Sequence, residues 1–308
     1  MAEILRISQA LTCARGVLSV AGSDTPALDA EVLLAHVLER DRAWLYTYPE
    51  RILTWPQSVA YLTLVERRAD QEPVAYLVGH KEFFGLYFIV TPDVLVPRPE
   101  TELLVEKALQ LAPSRGGQLT VADVGTGSGV VAVSLAVNFP HARVLAIDIS
   151  AAALAVARRN VARHHVGDQV ACVQADLLIP CPATFDLVIA NLPYICSGDL
   201  HPAHEEAGQG TTRALGWEPR VALDGGSDGL EVVRRLLMVV APRLHPDGVL
   251  LVEIGAEQGS DVLKLARVHF PRAVAEVIKD LAGLDRFLTV SPPDKLPNAL
   301  PCDRIAPR

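Results

Sequence analysis

The sequence predicts an α/β chain: a Rossmann-like, mostly parallel sheet with helices on both faces, preceded by a small N-terminal helical bundle. Three observations predict it. Apolar residues recur at helical spacing through the first part of the chain, with no strand-like alternation. From Leu119 onward, short β-branched runs alternate with helical ones, as in a parallel sheet covered on both faces. A glycine loop, Gly125-Thr126-Gly127-Ser128-Gly129, separates the first such run from its helix, at the strand end where α/β sheets hold ligands.

Residues 1–80 read as the helical bundle. Leu28–Leu38 and Val59–Arg68 carry apolar residues at helical spacing, and Pro26, Pro49, Pro56 and Pro73 punctuate the region. The run EFFGLYFIVTPDVLV, residues 82–96, is aromatic and β-branched with Gly85 inside it. It predicts a β-hairpin, which makes residues 81–97 a linker. The segment beginning at Pro97 starts a helix with Glu100 and Glu102 in its first turn, where acids suit the helix dipole. Strands are expected at Leu119–Val124, Arg143–Asp148, Val170–Gln174, Phe185–Ala190 and Gly248–Ile254. Helices are expected at Val130–Asn138, Ala151–His164 and Leu230–Leu244. Residues 98–290 thus form the α/β domain, and the proline-rich tail 291–308 is expected to be disordered.

Half of the 308 residues are hydrophobic, enough for a sizeable core. The net charge is −8, from 36 acidic and 28 basic residues, which disfavours nonspecific nucleic-acid binding through phosphate neutralisation. Five scattered cysteines with no C-x-x-C read as free thiols in a reducing compartment. No apolar run of about 18 residues marks a membrane span. The N-terminus MAEILRISQALTCARG lacks the apolar core of a secretory signal, so a cytoplasmic protein is expected.

Glycines let a backbone approach a ligand closely and adopt positive φ. A G-x-G-x-x-G loop would indicate a dinucleotide, but position 130 is Val. The pattern G-x-G-x-G, with Asp123 just upstream, fits S-adenosylmethionine better, because that cofactor has no pyrophosphate. Asp148 ends the second strand, where a carboxylate can accept both ribose hydroxyls. Asp176, after the third strand, can accept from an adenine amino group. The expected cofactor set is Asp123, Gly125, Thr126, Gly127, Ser128, Gly129, Asp148, Ile149, Asp176, Leu177 and Asn191. A tight turn without a ligand is the alternative.

The fourth strand ends in Asn191-Leu192-Pro193-Tyr194. Methyl transfer from a sulfonium needs in-line attack by a lone pair, and an amide nitrogen is a poor nucleophile. Positioning is therefore the main lever. The Asn191 side-chain oxygen and the Leu192 carbonyl offer two acceptors for the two N–H groups of an amide or exocyclic amine. Pro193 restrains the backbone, and Tyr194 can stack on the flat acceptor. These four residues are the candidate catalytic set. The alternative is a proline turn after a buried strand.

With these motifs in place, the chain resembles the HemK or PrmC family, the N5-glutamine methyltransferases of peptide chain release factors. The resemblance runs from about residue 20 to 290. It rests on Glu72–Gly79, Glu82–Leu86, Val96–Glu102, Asp123–Gly129, Asp148, Asn191–Tyr194, Glu218–Gly226, Asp228–Leu230 and Lys279–Arg286. It implies a class I methyltransferase domain, a helical N-terminal domain that helps bind the substrate, and S-adenosylmethionine as cofactor. The implied partner is a class I release factor, methylated on the glutamine of its Gly-Gly-Gln motif; the charge and the lack of an apolar span argue against direct nucleic-acid and membrane partners, and a monomer is expected. Asn191 would hold that glutamine, and Lys279–Arg286 would lie in the last strand pair. Two departures stand out: Leu192 replaces the first proline of the usual Asn-Pro-Pro-Tyr, and Leu177 stands where some members carry an aromatic residue. Because the same tetrapeptide serves adenine-N6 and guanine-N2 methyltransferases, a nucleic-acid enzyme is one alternative, and a ribosomal-protein glutamine methyltransferase is another. His201, His204 and Glu205 lack a completing ligand, so no metal is expected.

Overall fold

Helix starts and stops divide the N-terminal region into α1 (Ile7–Val20), α2 (Pro26–Leu38), α3 (Arg42–Thr47), α4 (Trp55–Ala69) and α5 (Val74–Val78). Pro26 and Pro56 occupy first turns, where a missing N–H breaks no helical bond. Asp41 caps α3 by accepting from Trp44 N at 2.7 Å. Ile7, Leu18, Leu33, Leu34, Tyr61 and Val65 share one apolar core. Within it, Arg68 of α4 donates to Asp29 of α2 at 2.7 Å, and Asp29 also accepts from the Ser23 and Thr25 hydroxyls.

The hairpin forms between β1 (His80–Phe83) and β2 (Leu86–Ile89). Its turn residues Phe84 and Gly85 have φ of 51° and 72°, as a two-residue type I′ turn requires. The extended run expected as far as Val96 stops at Ile89. Thr91 turns the chain, its hydroxyl accepting from Asp93 N and its carbonyl from Val94 N.

The computed structural model describes residues 5–112, 119–179, 181–200 and 215–293. The chain divides into two compact units, Met1–Pro97 with Ser197–Asp224, and Arg98–Cys196 with Gly225–Arg308. Glu218 Oε1 accepts from Val96 N at 3.0 Å, and Trp217 Nε1 donates to Asp70 O at 3.2 Å, both within the first unit. The region 98–290 thus contains a segment that packs with residues preceding it. His201, His204 and Glu205 lie outside the described residues, as does most of the tail. Ser291, placed in the tail from sequence, instead closes the last strand opposite Val274.

The second unit contains α6 (Pro99–Leu111), β3 (Thr120–Val124), α7 (Val130–Asn138), β4 (Arg143–Asp148), α8 (Ala151–Arg163), β5 (Val170–Gln174) and β6 (Phe185–Asn191). These are followed by α9 (Glu231–Val240), β7 (Leu244–Glu253), α10 (Gly259–His269), β8 (Val274–Lys279) and β9 (Asp285–Ser291). The sheet order is β5-β4-β3-β6-β7-β9-β8. The first five strands are parallel, and β9 runs antiparallel to both its neighbours. Phe185–Ala190 are all buried, as a central strand covered on both faces must be. The helix expected over Leu230–Leu244 ends at Val240, and β7 starts at Leu244, ahead of Gly248. Leu244 pairs with Phe185, so strand pairing takes residues whose local pattern read as helix. Among the described residues no helix is long and apolar enough to cross a membrane, and Cys13, Cys172, Cys181 and Cys196 are free thiols.

Candidate active site

The glycine loop leaves β3 as three successive tight conformations. Gly125, Gly127 and Gly129 have φ of 77°, 54° and 81°. Gly125 N and Thr126 N both donate to Ile147 O of β4, at 2.8 and 2.9 Å. Asp123 is buried beneath the loop and accepts from Thr126 Oγ1 at 2.6 Å and from Ala132 N at 3.0 Å. Burial pushes its carboxyl up to about 7, against those two hydrogen bonds. Asp148 holds the loop from the next strand: Oδ2 accepts from Gly127 N and Oδ1 from Ser150 N, both at 2.9 Å. Burial raises its pKa as well.

The three glycines differ in what surrounds them. A Cβ on Gly125 would lie 2.9 Å from Leu192 Cδ2 and 3.2 Å from Asn191 O; one on Gly129 would lie 3.2 Å from Ala157 Cβ. A Cβ on Gly127 would meet nothing within 4 Å among the described residues. The loop is thus packed at both ends and open in the middle, a cradle suited to a ligand that lies against backbone. The carboxylate of Asp148 and the exposed Ile149 follow at the end of β4.

The tetrapeptide sits at the carboxyl end of β6, the strand beside β3. Leu192 is buried in the sheet core and packs on Gly125. The side chain that replaces the family's proline therefore anchors the turn by burial. On the other side, a Cβ on Gly225 would lie 2.8 Å from both Pro193 O and Tyr194 Cα. Gln258 Nε2 donates to Tyr194 O at 3.0 Å, and Gly225 N donates to Ile195 O at 2.8 Å. Two acceptors here, Asn191 Oδ1 and the Leu192 carbonyl, receive no donor among the described residues.

Behind Asn191 runs a hydrogen-bond chain. Its Nδ2 donates to Thr101 Oγ1 at 3.1 Å, and Thr101 Oγ1 donates to Glu253 Oε2 at 2.9 Å. Thr101 lies in the first turn of α6, and Glu253 ends β7 as the register partner of Asn191. Glu253 is only 1% exposed, and burial pushes its carboxyl up to about 7. Burial, followed by the nearby Glu253, raises the Tyr194 hydroxyl to about 12, so it stays protonated.

The structure brings Asp123, the glycine loop, Asp148 and the tetrapeptide together at the carboxyl ends of the adjacent strands β4, β3 and β6. Asp176 instead forms an ion pair with Arg235 of α9, and the Leu177 side chain is buried in the core with φ at 55°. Sequence reasoning missed Thr101, Glu253, Gly225 and Gln258. Thr101 and Gly225 lay inside motifs quoted for the family resemblance, whereas Glu253 had no local signal beyond a charge at a strand end. Among the described residues no cluster of potential ligands can hold a metal ion.

Two family models match the chain: the PrmC N-terminal domain over residues 9–79 and the methyltransferase small domain over residues 99–205. The chain is 41% identical over 288 residues to the release factor glutamine methyltransferase of Geobacter sulfurreducens, covering 93% of this chain and 96% of that one. It is 42% identical over 264 residues to the Bordetella pertussis protein of the same name, covering 85% and 93%. Among solved structures, the hMettl16 catalytic domain in complex with MAT2A 3′UTR hairpin 1 matches with a TM-score of 0.54, over 83% of this chain and 88% of that one. At 16% identity, that likeness concerns the fold alone.

Proposed function

The chain belongs to the release factor glutamine methyltransferase family, and we propose that it moves a methyl group from S-adenosylmethionine to a release factor. The acceptor is the side-chain amide nitrogen, N5, of the glutamine in the Gly-Gly-Gln motif of a class I factor. One observation carries the reading: beside the glycine loop, Asn191 Oδ1 and the Leu192 carbonyl are two acceptors with no donor among the described residues. A primary amide has two N–H donors to match them. Held at both, the nitrogen is fixed in position, a lever worth on the order of 7–11 kcal/mol in well-oriented reactions. Tyr194 lines the acceptor, and Leu192, anchored by its buried side chain, sets the carbonyl.

The residues present fit the cofactor. Gly127 leaves open space where a ligand would lie on the loop. Asp123, Gly125, Thr126, Ser128 and Gly129 hold that loop in shape. Asp148, which accepts from Gly127 N and Ser150 N, keeps lone-pair capacity for ribose hydroxyls. Ile149 would follow toward the adenine end, Asp176 would reach it only by sharing its carboxylate with Arg235, Leu177 only through its backbone because its side chain is buried, and Asn191 would stand between cofactor and acceptor. When bound, S-adenosylmethionine supplies an electrophilic methyl carbon. The enzyme acts as a cytoplasmic monomer on a protein substrate.

The test is methylation of an unmodified release factor with labelled S-adenosylmethionine, the modified residue mapped by mass spectrometry. Label is expected on the Gly-Gly-Gln glutamine, and it should vanish with Asn191→Ala and with a factor whose glutamine is alanine. Label elsewhere, or none while the cofactor still binds, overturns the assignment.

A further inference from the structure

We infer that Thr101 and Glu253 are positioning residues that set which end of the Asn191 amide faces the acceptor nitrogen, and that this orientation depends on the ionisation of Glu253. The inference rests on the proposed reaction. An asparagine side chain offers an oxygen on one side and an NH₂ on the other, and only the oxygen can receive a substrate N–H. A carboxylate has only acceptors, so an ionised Glu253 draws the single Thr101 hydroxyl proton across the 2.9 Å separation of the two oxygens. Thr101 Oγ1 is then left with lone pairs alone and accepts Asn191 Nδ2 at 3.1 Å. Donation therefore runs one way, from Asn191 to Thr101 to Glu253, and Oδ1 is turned outward. Thr101 and Glu253 are 3% and 1% exposed, so water does not compete for these bonds.

Protonation of Glu253 reverses the logic. A carboxylic acid can donate to Thr101, whose hydroxyl proton is then free to bond Asn191 Oδ1. The amide turns over, and Nδ2 meets the substrate N–H donor to donor. The groups facing Glu253 are Thr101, Arg98 and Glu100 at the start of α6, Arg286 of β9, and Tyr194. Arg286 and Arg98 favour the ionised form, and Glu100 and burial oppose it; the balance holds the carboxyl at about 7, within the working range of an enzyme. Asp123 reaches about 7 too, so the pH profile must be assigned by substitution.

The experiment measures kcat and KM for release-factor methylation from pH 5.5 to 9 for the wild type, Thr101→Val, Thr101→Ser and Glu253→Gln. Cofactor binding and thermal melting are recorded beside them. Thr101→Val is expected to lower kcat at least tenfold with cofactor affinity kept, and Thr101→Ser to restore most of it. Glu253→Gln presents either an oxygen or an amine to Thr101. It should lose activity several-fold at high pH and no longer show the fall in kcat toward acid. If Thr101→Val fails to fold, the acid limb of Glu253→Gln decides alone. An unchanged kcat in folded Thr101→Val, or an acid limb that persists in Glu253→Gln, overturns the inference. The proposed function itself fails only if the wild type does not label the glutamine.

Discussion

At the scale of single residues, the glycine loop separates two demands that sequence alone merges. Gly125 and Gly127 both carry positive φ, but only Gly125 has a neighbour where its Cβ would go. Gly125→Ala therefore combines left-handed strain with a contact of 2.9 Å on the buried Leu192, and should cost about 2–4 kcal/mol of stability. Gly127→Ala pays only the backbone term, about 1 kcal/mol. Its methyl, however, fills the open space of the cradle, so cofactor affinity should fall at least tenfold in a folded protein. Calorimetric titration of S-adenosylmethionine beside urea melts separates the two effects. If Gly127→Ala binds the cofactor as the wild type does, the ligand does not lie on the middle of the loop. Leu192 makes a related point. The missing proline is plain in the sequence, but its replacement by burial against Gly125 requires the fold.

Among elements, the N-terminal bundle is tied across α2 and α4 by Asp29 and Arg68, whose side chains are 8% and 14% exposed. Removing one partner leaves a buried charge unpaired, a loss of about 3–5 kcal/mol. Asp29→Ala also strips the acceptor from the Ser23 and Thr25 hydroxyls at the start of α2. The expected outcome is early proteolysis within residues 5–80 while the cofactor still binds the second unit; equal protease resistance would show the tie to be dispensable. The strands β3, β4 and β5 were legible because their apolar β-branched runs are short and end in turns. The start of β7 was not, since Leu244 continues the apolar spacing of α9 and only its pairing with Phe185 makes it strand. The strands β8 and β9 were reached through resemblance rather than pattern. In the site, the glycine loop and tetrapeptide are contiguous and so were readable. The chain behind Asn191 joins residues 90 and 152 positions apart, and only the parallel register of β6 and β7 with the start of α6 brings them together.

For the whole molecule, the two most perturbed carboxyls set the direction of the stability–pH curve. Asp123 and Glu253 are buried and titrate near 7 when folded, against ordinary values of 3.8 and 4.5. A raised folded pKa means that the native state binds more protons than the unfolded chain across that interval. The associated stability is fully present below the unfolded pKa and is lost as pH rises through the folded one. Each group is worth on the order of 3 kcal/mol over that window, from 1.36 kcal/mol per unit. His36 has the opposite sign, since its pKa is lowered by burial and the stability it favours is lost as pH falls through its range. Asp228, Glu231 and Asp280, held down by hydrogen bonds, also oppose, but their stability is lost only below the ordinary carboxylate range. The cofactor-free protein should therefore be more stable to urea at pH 5 than at pH 8, with the fall concentrated between about 5 and 7.5. Glu253→Gln should flatten that fall by roughly half, because one of its two main contributors no longer titrates, and Asp123→Asn should remove much of the remainder. A curve that rises from pH 5 to 8 would mean that one or both carboxyls are ionised in the folded protein at pH 5. That would also remove the titration on which the acid limb of the Glu253 profile depends.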